Sequence, residues 1–177
     1  MATLWMLTGS TENWLTGIKN GVWAFPENPT NAKLWNEINR GDIGIFHATK
    51  KSAYWYQDQL QPSILGYSII GIKEEKNTLW FDDEEKDKKN KWPLVIHFEK
   101  IFITKKASVL DFSKSIKPDD NLIKVLSWSG YNYSDFRKVG KSLYPDIGKF
   151  MDQKSLQKLD PRYDSILKEL KFNEVCF

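Results

Sequence analysis

Residues 3–25, TLWMLTGSTENWLTGIKNGVWAF, decide how the rest of the chain can fold. The apolar run that begins at Leu4 predicts a buried strand. Ser10 or Thr11 can cap a following helix, because a hydroxyl accepts hydrogen bonds from the unpaired N–H groups of the first turn. Gly21 is suited to end that helix, since glycine adopts a positive φ without strain. The stretch therefore predicts a strand, one short helix and a returning chain.

The returning segment Val22–Phe25 predicts a second strand that stops at Pro26. This compact unit brings Asn13 and Trp23, from the two ends of one helix, to the same strand edge. A flat aromatic ring beside an amide is suited to binding a flat heterocycle, because the ring stacks while the amide both donates and accepts hydrogen bonds.

Length and composition favour one domain. A chain of 177 residues can bury a sizeable core, and no run approaches the ~20 apolar residues of a membrane span. The one cysteine, Cys176, allows no disulfide framework, which suits a reducing interior and predicts a cytoplasmic protein. The net charge of +3 is compatible with nucleic-acid binding without requiring it.

Aromatic residues are unusually frequent, with 8 Trp, 7 Tyr and 10 Phe. Trp is rarely fully buried, and an excess of it often marks a surface on which flat groups stack. Trp5, Trp14 and Trp35 lie at buried positions of regular elements and are assigned to the core. The remaining Trp residues include the candidates for a binding surface.

The rest of the first 107 residues predicts a second helix and further strands. The helix spans 29–40, with Thr30 or Asn31 as its cap, and the charged run Asp82–Lys91 is interpreted as a solvated loop. A polar and aromatic loop is expected over Thr49–Pro62. Strands are predicted over Asp42–Ala48, Ser63–Lys73, Thr78–Phe81 and Trp92–Thr104.

Beyond residue 107 the hydrophobic period changes toward that of helices. Three segments look helical or mixed: Asp119–Gly130, Tyr133–Leu143 and Gln153–Phe172. The prediction is a single α+β domain over 1–177. Its first part, 1–107, holds five or six strands and two early helices, and 108–177 is a mostly helical extension packed on it.

Enzyme signatures are missing from the sequence. Gly140–Lys141–Ser142 resembles the end of a phosphate-binding loop, but Asp135 stands where the first glycine is needed. Two histidines, His47 and His97, are too few for a recognisable zinc site. We therefore predict a non-catalytic protein with no cofactor and no metal.

The order of elements resembles the PUA-like superfamily, specifically its EVE and YTH branches. Arg40–Gly41–Asp42 followed by Ile43–His47 resembles the EVE pattern of helix, Gly-Asp and a strand that ends in Phe and His. Gly21–Val22–Trp23 resembles the YTH segment that supplies the first wall of an aromatic cage. The likeness covers roughly the first hundred residues and implies a small twisted β-barrel flanked by helices.

The resemblance implies a set of base-binding residues. Trp23 matches the first cage wall, Trp80 the opposing wall and Trp92 the third, with Phe81 in reserve. Asn13 matches an asparagine that binds a ring nitrogen of the base, and the Ala24 carbonyl would accept from its amino group. Ser10 is the nearest match to the polar residue in the preceding turn. Phosphate contacts are expected from Lys50, Lys51, Lys100, Lys105 and Lys106.

The function implied is recognition of N6-methyladenine flipped out of DNA. The alternatives are a reader of 5-methylcytosine-type DNA and an RNA-binding domain for N6-methyladenine. Related domains stand at the N-terminus of archaeal McrB-type restriction proteins, so association with an NTPase and nuclease machinery is expected. A different class, a protein-interaction or RNA-binding accessory without a base pocket, also stays open.

Overall fold

The computed structural model describes residues 1–49, 62–105, 130–147 and 154–175. They form eight strands and five helices. The strands are β1 (Leu4–Ser10), β2 (Val22–Phe25), β3 (Ile43–Thr49), β4 (Ser63–Glu75), β5 (Leu94–Ile103), β6 (Tyr131–Asn132), β7 (Leu156–Leu159) and β8 (Asn173–Val175). The helices are α1 (Thr11–Asn20), α2 (Pro29–Glu37), α3 (Asp82–Asp87), α4 (Tyr133–Leu143) and α5 (Tyr163–Leu170).

One mixed sheet contains all eight strands. The main path runs β2-β5-β4-β3-β1-β7, with β6 paired to β4 and β8 paired to β5. Only β1 and β3 are parallel; the other pairs are antiparallel. Within the described part of the chain, β2 and β7 are the two ends of this path, so the strands of the predicted α+β fold do not close into a complete ring.

The sheet carries a hydrophobic core on each face, because successive residues of a strand point to opposite sides. Trp5 and Leu7 of β1 belong to the core under α1 and α2, together with Trp14 and Trp35. Leu4 and Met6 of the same strand belong to the second core, under α4 and α5. The assignment of Trp5, Trp14 and Trp35 to the core is confirmed.

The local signals in the opening stretch are confirmed. Ser10 is the N-cap of α1 and accepts a hydrogen bond from the Asn13 N–H, and Gly21 ends the helix at φ +66°. The second helix differs from the prediction, because Asn28 caps it in place of Thr30 or Asn31 and it ends at Glu37. Asn28 precedes Pro29, whose fixed φ suits the first helical turn.

Three other predictions need correction. Residues 78–81 form no strand, and the predicted solvated loop at 82–91 contains helix α3. The C-terminal part adds three short strands, β6, β7 and β8, to the sheet, and the segment predicted as helical or mixed over 153–172 contains β7 and α5. The predicted loop over 50–61 and the predicted helix over 119–129 lie outside the described residues. No helix in the described ranges could cross a membrane.

Candidate functional site

A cavity of about 280 Å³ opens beside the first strand–helix–strand unit. It is lined by apolar side chains on most sides and by a few polar groups. The apolar lining consists of Trp23, Phe25, Pro26, Phe81 and Trp92. The polar lining comes from Thr8, Asn13 and Ser155, and Gly9 and Ala24 complete the wall. An apolar cavity with a small number of polar groups is the usual composition of a small-ligand site.

Trp23 is fixed by close packing. Its indole stacks on Trp14 with ring centroids 3.7 Å apart and an angle of 8° between the planes. Gly9 and Gly17 lie against the ring, and a Cβ on Gly9 would come within 2.5 Å of Trp23 Cη2 and Cζ2. The side chain is only 6% exposed. With one face covered by Trp14, Trp23 can meet a ligand only through its other face or its remaining edge.

Ala24 offers its backbone to the cavity because of its register in the sheet. Ala24 pairs with Val95, and the Phe98 N–H donates to the Gly21 carbonyl at 2.7 Å. In antiparallel strands, hydrogen-bonded and non-hydrogen-bonded pairs alternate, so the Ala24–Val95 pair is of the non-hydrogen-bonded kind. The N–H and C=O of Ala24 therefore point away from β5, toward the edge of the described sheet.

The polar side of the cavity is formed by the turn between β1 and α1. Asn13 is exposed in the first turn of α1, where Ser10 holds its backbone N–H at 3.3 Å. Ser10 is thus a cap, and it is not among the residues that line the cavity. Thr8 Oγ1 shares a 3.1 Å hydrogen bond with Nδ1 of His47. Burial lowers the pKa of His47 to about 4, so the imidazole is neutral at neutral pH.

The facing wall comes from residues 76–92, and a buried carboxylate organises it. Glu84 accepts hydrogen bonds from four backbone N–H groups that precede and follow α3. They belong to Trp80 (3.0 Å), Phe81 (3.2 Å), Lys91 (2.8 Å) and Trp92 (2.9 Å). Because Phe81 and Trp92 line the cavity, one side chain sets the backbone position of both.

Lys76 balances the charge of Glu84. Its ammonium lies 2.6 and 2.7 Å from the two carboxylate oxygens and also donates to the Thr78 carbonyl and to Asn90 Oδ1. The side chains are 1% and 0% exposed. Burial raises the pKa of Glu84, but the Lys76 ammonium and the backbone N–H groups outweigh burial and hold this pKa below its usual value. We call residues 76–92 the Glu84 lobe.

The Trp92 ring has its own anchor on the Glu84 lobe. Its Nε1–H is 3.1 and 3.2 Å from the two carboxylate oxygens of Asp83. Lys91 lies 3.4 Å from Asp83 and 2.5 Å from Asp87, and hydrogen bonding to Asp87 raises its pKa. Asp83 therefore orients an aromatic side chain that lines the cavity.

The structure gathers part of the predicted base-binding set. Trp23, Trp92, Asn13 and Ala24 line one cavity together with the reserve residue Phe81. Trp80 does not line it: its side chain is 43% exposed and its ring meets His97 edge-on at 6.4 Å. Trp80 belongs to no strand, because Glu84 holds its backbone N–H in place of a neighbouring strand.

The predicted phosphate-binding lysines are not gathered at the cavity. Lys100 lies 3.7 Å from Glu174, on the part of β5 beyond its pairing with β2, and Lys105 is exposed just after β5. Lys50, Lys51 and Lys106 lie outside the described residues. Within the described ranges, no group of His, Cys, Asp or Glu could hold a metal ion.

Several residues of the site were not predicted from the sequence. Phe25, Pro26 and Ser155 line the cavity, and Lys76, Glu84 and Asp83 support its wall. Phe25 and Pro26 come directly after Trp23 and Ala24 in the chain and could have been predicted as neighbours of those two residues. Nothing in the sequence pattern marks Ser155, which β7 brings beside β1.

The α+β fold is shared with solved structures, as the resemblance predicts. Human THYN1 protein, crystallised in complex with 5-methylcytosine containing DNA, has a TM-score of 0.54 at 12% identity, over 96% of this chain and 98% of that chain. A hypothetical protein from Leishmania major has a TM-score of 0.50 at 14% identity, over 96% and 94%. No protein-family model and no curated protein matches the sequence.

Proposed function

We propose that this chain is a non-catalytic reader of a modified base in DNA, which it binds flipped out of the strand in the cavity of Trp23, Phe81 and Trp92. The observation that carries the proposal is the grouping of three aromatic residues with Asn13 and Ala24 around one small space. Its volume of about 280 Å³ is just below the roughly 300–1,000 Å³ usual for ligand sites, which suits a single base.

The energetics favour such a site. Extracting a base from a duplex costs a few kcal/mol, and stacking on aromatic side chains returns about 1–3 kcal/mol per base. Enclosing one methyl group adds on the order of 0.8 kcal/mol, close to a fourfold preference. Trp23 is already immobilised by Trp14, so little conformational entropy is lost when a base stacks on it.

The base we propose first is 5-methylcytosine. The support is the shared fold with THYN1, whose structure holds DNA that contains this base. N6-methyladenine is the second candidate, and it is favoured by the position of Asn13 and Trp23 in one cavity, as the YTH resemblance implies. In either case the chain serves as the targeting part of a modification-dependent restriction complex of the McrB type in the cytoplasm, and catalysis lies in other domains or subunits.

A binding panel tests the proposal. Oligonucleotides of one sequence carrying 5-methylcytosine, N6-methyladenine or no modification are titrated as DNA and as RNA. We expect the tightest binding to 5-methylcytosine DNA. A preference for N6-methyladenine DNA would support the second candidate, and a preference for methylated RNA would overturn the DNA assignment.

Three variants connect the preference to the cavity. Trp92→Ala and Asn13→Ala remove lining side chains that are not fully buried, and both are expected to reduce the preference for the modified base several-fold. Trp80→Ala is the matched control, because it removes an exposed indole outside the cavity. Equal affinity of the unaltered protein for modified and unmodified DNA contradicts the proposed function.

A further inference from the structure

We propose that the groove between α2 and β7 binds the phosphate backbone of the nucleic-acid strand whose base enters the cavity; this inference rests on the proposed function. The groove has a volume of about 600 Å³. Leu34 and Leu156 form apolar parts of its lining, and three lysines, Lys33, Lys154 and Lys158, contribute positive charge. Nothing in the sequence pattern singled out these lysines, because they come from segments more than a hundred residues apart.

The groove adjoins the cavity, because residues that are neighbours in the chain line the two spaces. Ser155 lines the cavity, while its neighbours Lys154 and Leu156 line the groove. Ser155 Oγ donates to Asn31 Oδ1 at 3.2 Å, and Asn31 Nδ2 donates to the carbonyl of Pro26, another cavity residue, at 3.0 Å. This hydrogen-bonded link fixes the start of β7 against α2, so a strand leaving the cavity there meets the groove next.

The charge in the groove fits a polyanion. Against the three lysines stands one acidic lining residue, Glu37, whose carboxylate is 3.9 Å from Lys158 Nζ. Exposed pairs of this kind contribute little and can be exchanged for a phosphate. Helix α2 has no acidic residue in its first turn, so the positive end of its dipole adds to the charge of Lys33.

Other described lysines are less suited to this role. Lys91 is held by Asp83 and Asp87 on the Glu84 lobe, and Lys100 lies near Glu174 at the far part of β5. Lys138 and Lys168 each pair with an aspartate of their own helix, α4 or α5. Among the described residues, those of the α2–β7 groove combine three lysines in one place with a position beside the cavity.

The test compares two triple variants of the full chain with equal loss of charge. Lys33→Gln, Lys154→Gln and Lys158→Gln remove the groove charges, whereas Lys138→Gln, Lys141→Gln and Lys168→Gln remove three exposed charges on α4 and α5. Affinity for modified and unmodified DNA is measured at several salt concentrations between 50 and 200 mM. The slope of log affinity against log salt then counts phosphate contacts, because each contact contributes about 0.9 to the slope in duplex DNA.

We expect the groove variant to bind both DNAs more weakly by the same factor, with the salt slope reduced by about 2–3 and the modified-to-unmodified ratio unchanged. The α4–α5 variant should keep most of the slope. If both variants have the same slope, the groove proposal is overturned while a retained ratio still supports base reading. If the slope falls only in the groove variant but the unaltered protein shows no preference, the groove binds nucleic acid and the proposed function fails.

Discussion

Trp23 and Trp92 line the same cavity, but different interactions hold them in place. Trp23 lies on the sheet, stacked on Trp14 and pressed against Gly9 and Gly17, in contacts that are almost entirely apolar. Trp92 lies on the Glu84 lobe, where the buried Lys76–Glu84 pair and Asp83 fix its backbone and its ring. One wall therefore depends on packing and the other on charge, and the two should fail under different perturbations.

The largest effect is expected for Glu84→Gln. This change leaves the Lys76 ammonium buried without its carboxylate, and breaking a buried ion pair from one side costs about 3–5 kcal/mol. Phe81 and Trp92 lose their common anchor, so the preference for the modified base should disappear. Chemical denaturation and the oligonucleotide titration measure both effects.

Glu85→Gln is the control on the same helix. Glu85 is exposed and pairs only with Lys88 at 3.3 Å, so its substitution should change stability by less than about 0.5 kcal/mol. Equal effects of the two substitutions would show that the carboxylate of Glu84 does not organise the wall.

Acid should destabilise the fold in two separate pH ranges. The His47 ring stacks on Tyr133 and is hydrogen-bonded to Thr8. It is neutral in the folded protein, with a pKa of about 4 against an ordinary value of 6.5. Between pH 6.5 and 4 the unfolded chain binds one proton more than the folded chain. The free energy of unfolding therefore falls by about 1.4 kcal/mol per pH unit, or about 3 kcal/mol in all.

The contribution of Glu84 to stability depends on pH in a lower pH range than that of His47. Its folded pKa is depressed, so its contribution is complete above about pH 4.5 and is lost as the pH falls through the folded pKa. The contribution of His47 is measured by urea unfolding of the unaltered protein and of His47→Gln at pH 7.5, 6 and 5, as the free energy of unfolding at each pH. The His47→Gln curve should be flatter, and parallel curves would contradict the assignment of a buried neutral imidazole.

Gly9→Ala tests the packed wall. The added Cβ would lie 2.5 Å from two ring carbons of Trp23, and overpacking of this kind costs about 1–3 kcal/mol. We expect lower stability together with weaker base binding, because the indole must move. Gly71→Ala is the control, since its nearest contact, the His97 carbonyl, is 3.3 Å away and a small shift accommodates it.

The smallest effect is expected for Asp83→Ala, which removes the acceptor of the Trp92 Nε1–H. Because Asp83 is partly exposed, the loss should be less than about 1 kcal/mol in stability, and base affinity should fall by up to about fivefold. Asp87→Ala removes the other acidic partner of Lys91 without touching Trp92. An equal loss of affinity in Asp87→Ala would show that ring orientation is not the cause.

The same contrast explains how much of the fold the sequence predicts. Local rules place β1, α1 and β2 correctly, because capping by Ser10 and the left-handed turn at Gly21 are properties of neighbouring residues. Strands β6, β7 and β8 have two to four residues each, too few for a hydrophobic period to emerge. Their existence depends on partners far away in the chain.

The candidate site divides in the same way. Trp23, Asn13 and Ala24 belong to one local unit, and all three line the cavity. The run 82–91 contains only polar residues, so its composition predicts a solvated loop; a single sequence gives no sign that Glu84 is paired with Lys76 eight positions earlier. The resemblance implies Trp80 as the opposing wall and Trp92 as the third, and the sequence does not show that the Glu84 lobe directs only Trp92 to the cavity.

The most direct test of the account asks whether a base leaves its stack and enters between the two walls. A 2-aminopurine placed next to the modified base gains fluorescence when its stacking neighbour is extracted. We predict a rise on adding the unaltered protein at saturating concentration and a much smaller rise with Trp92→Ala at the same occupancy. Tight binding of the modified DNA with no change in fluorescence would contradict base flipping into this cavity.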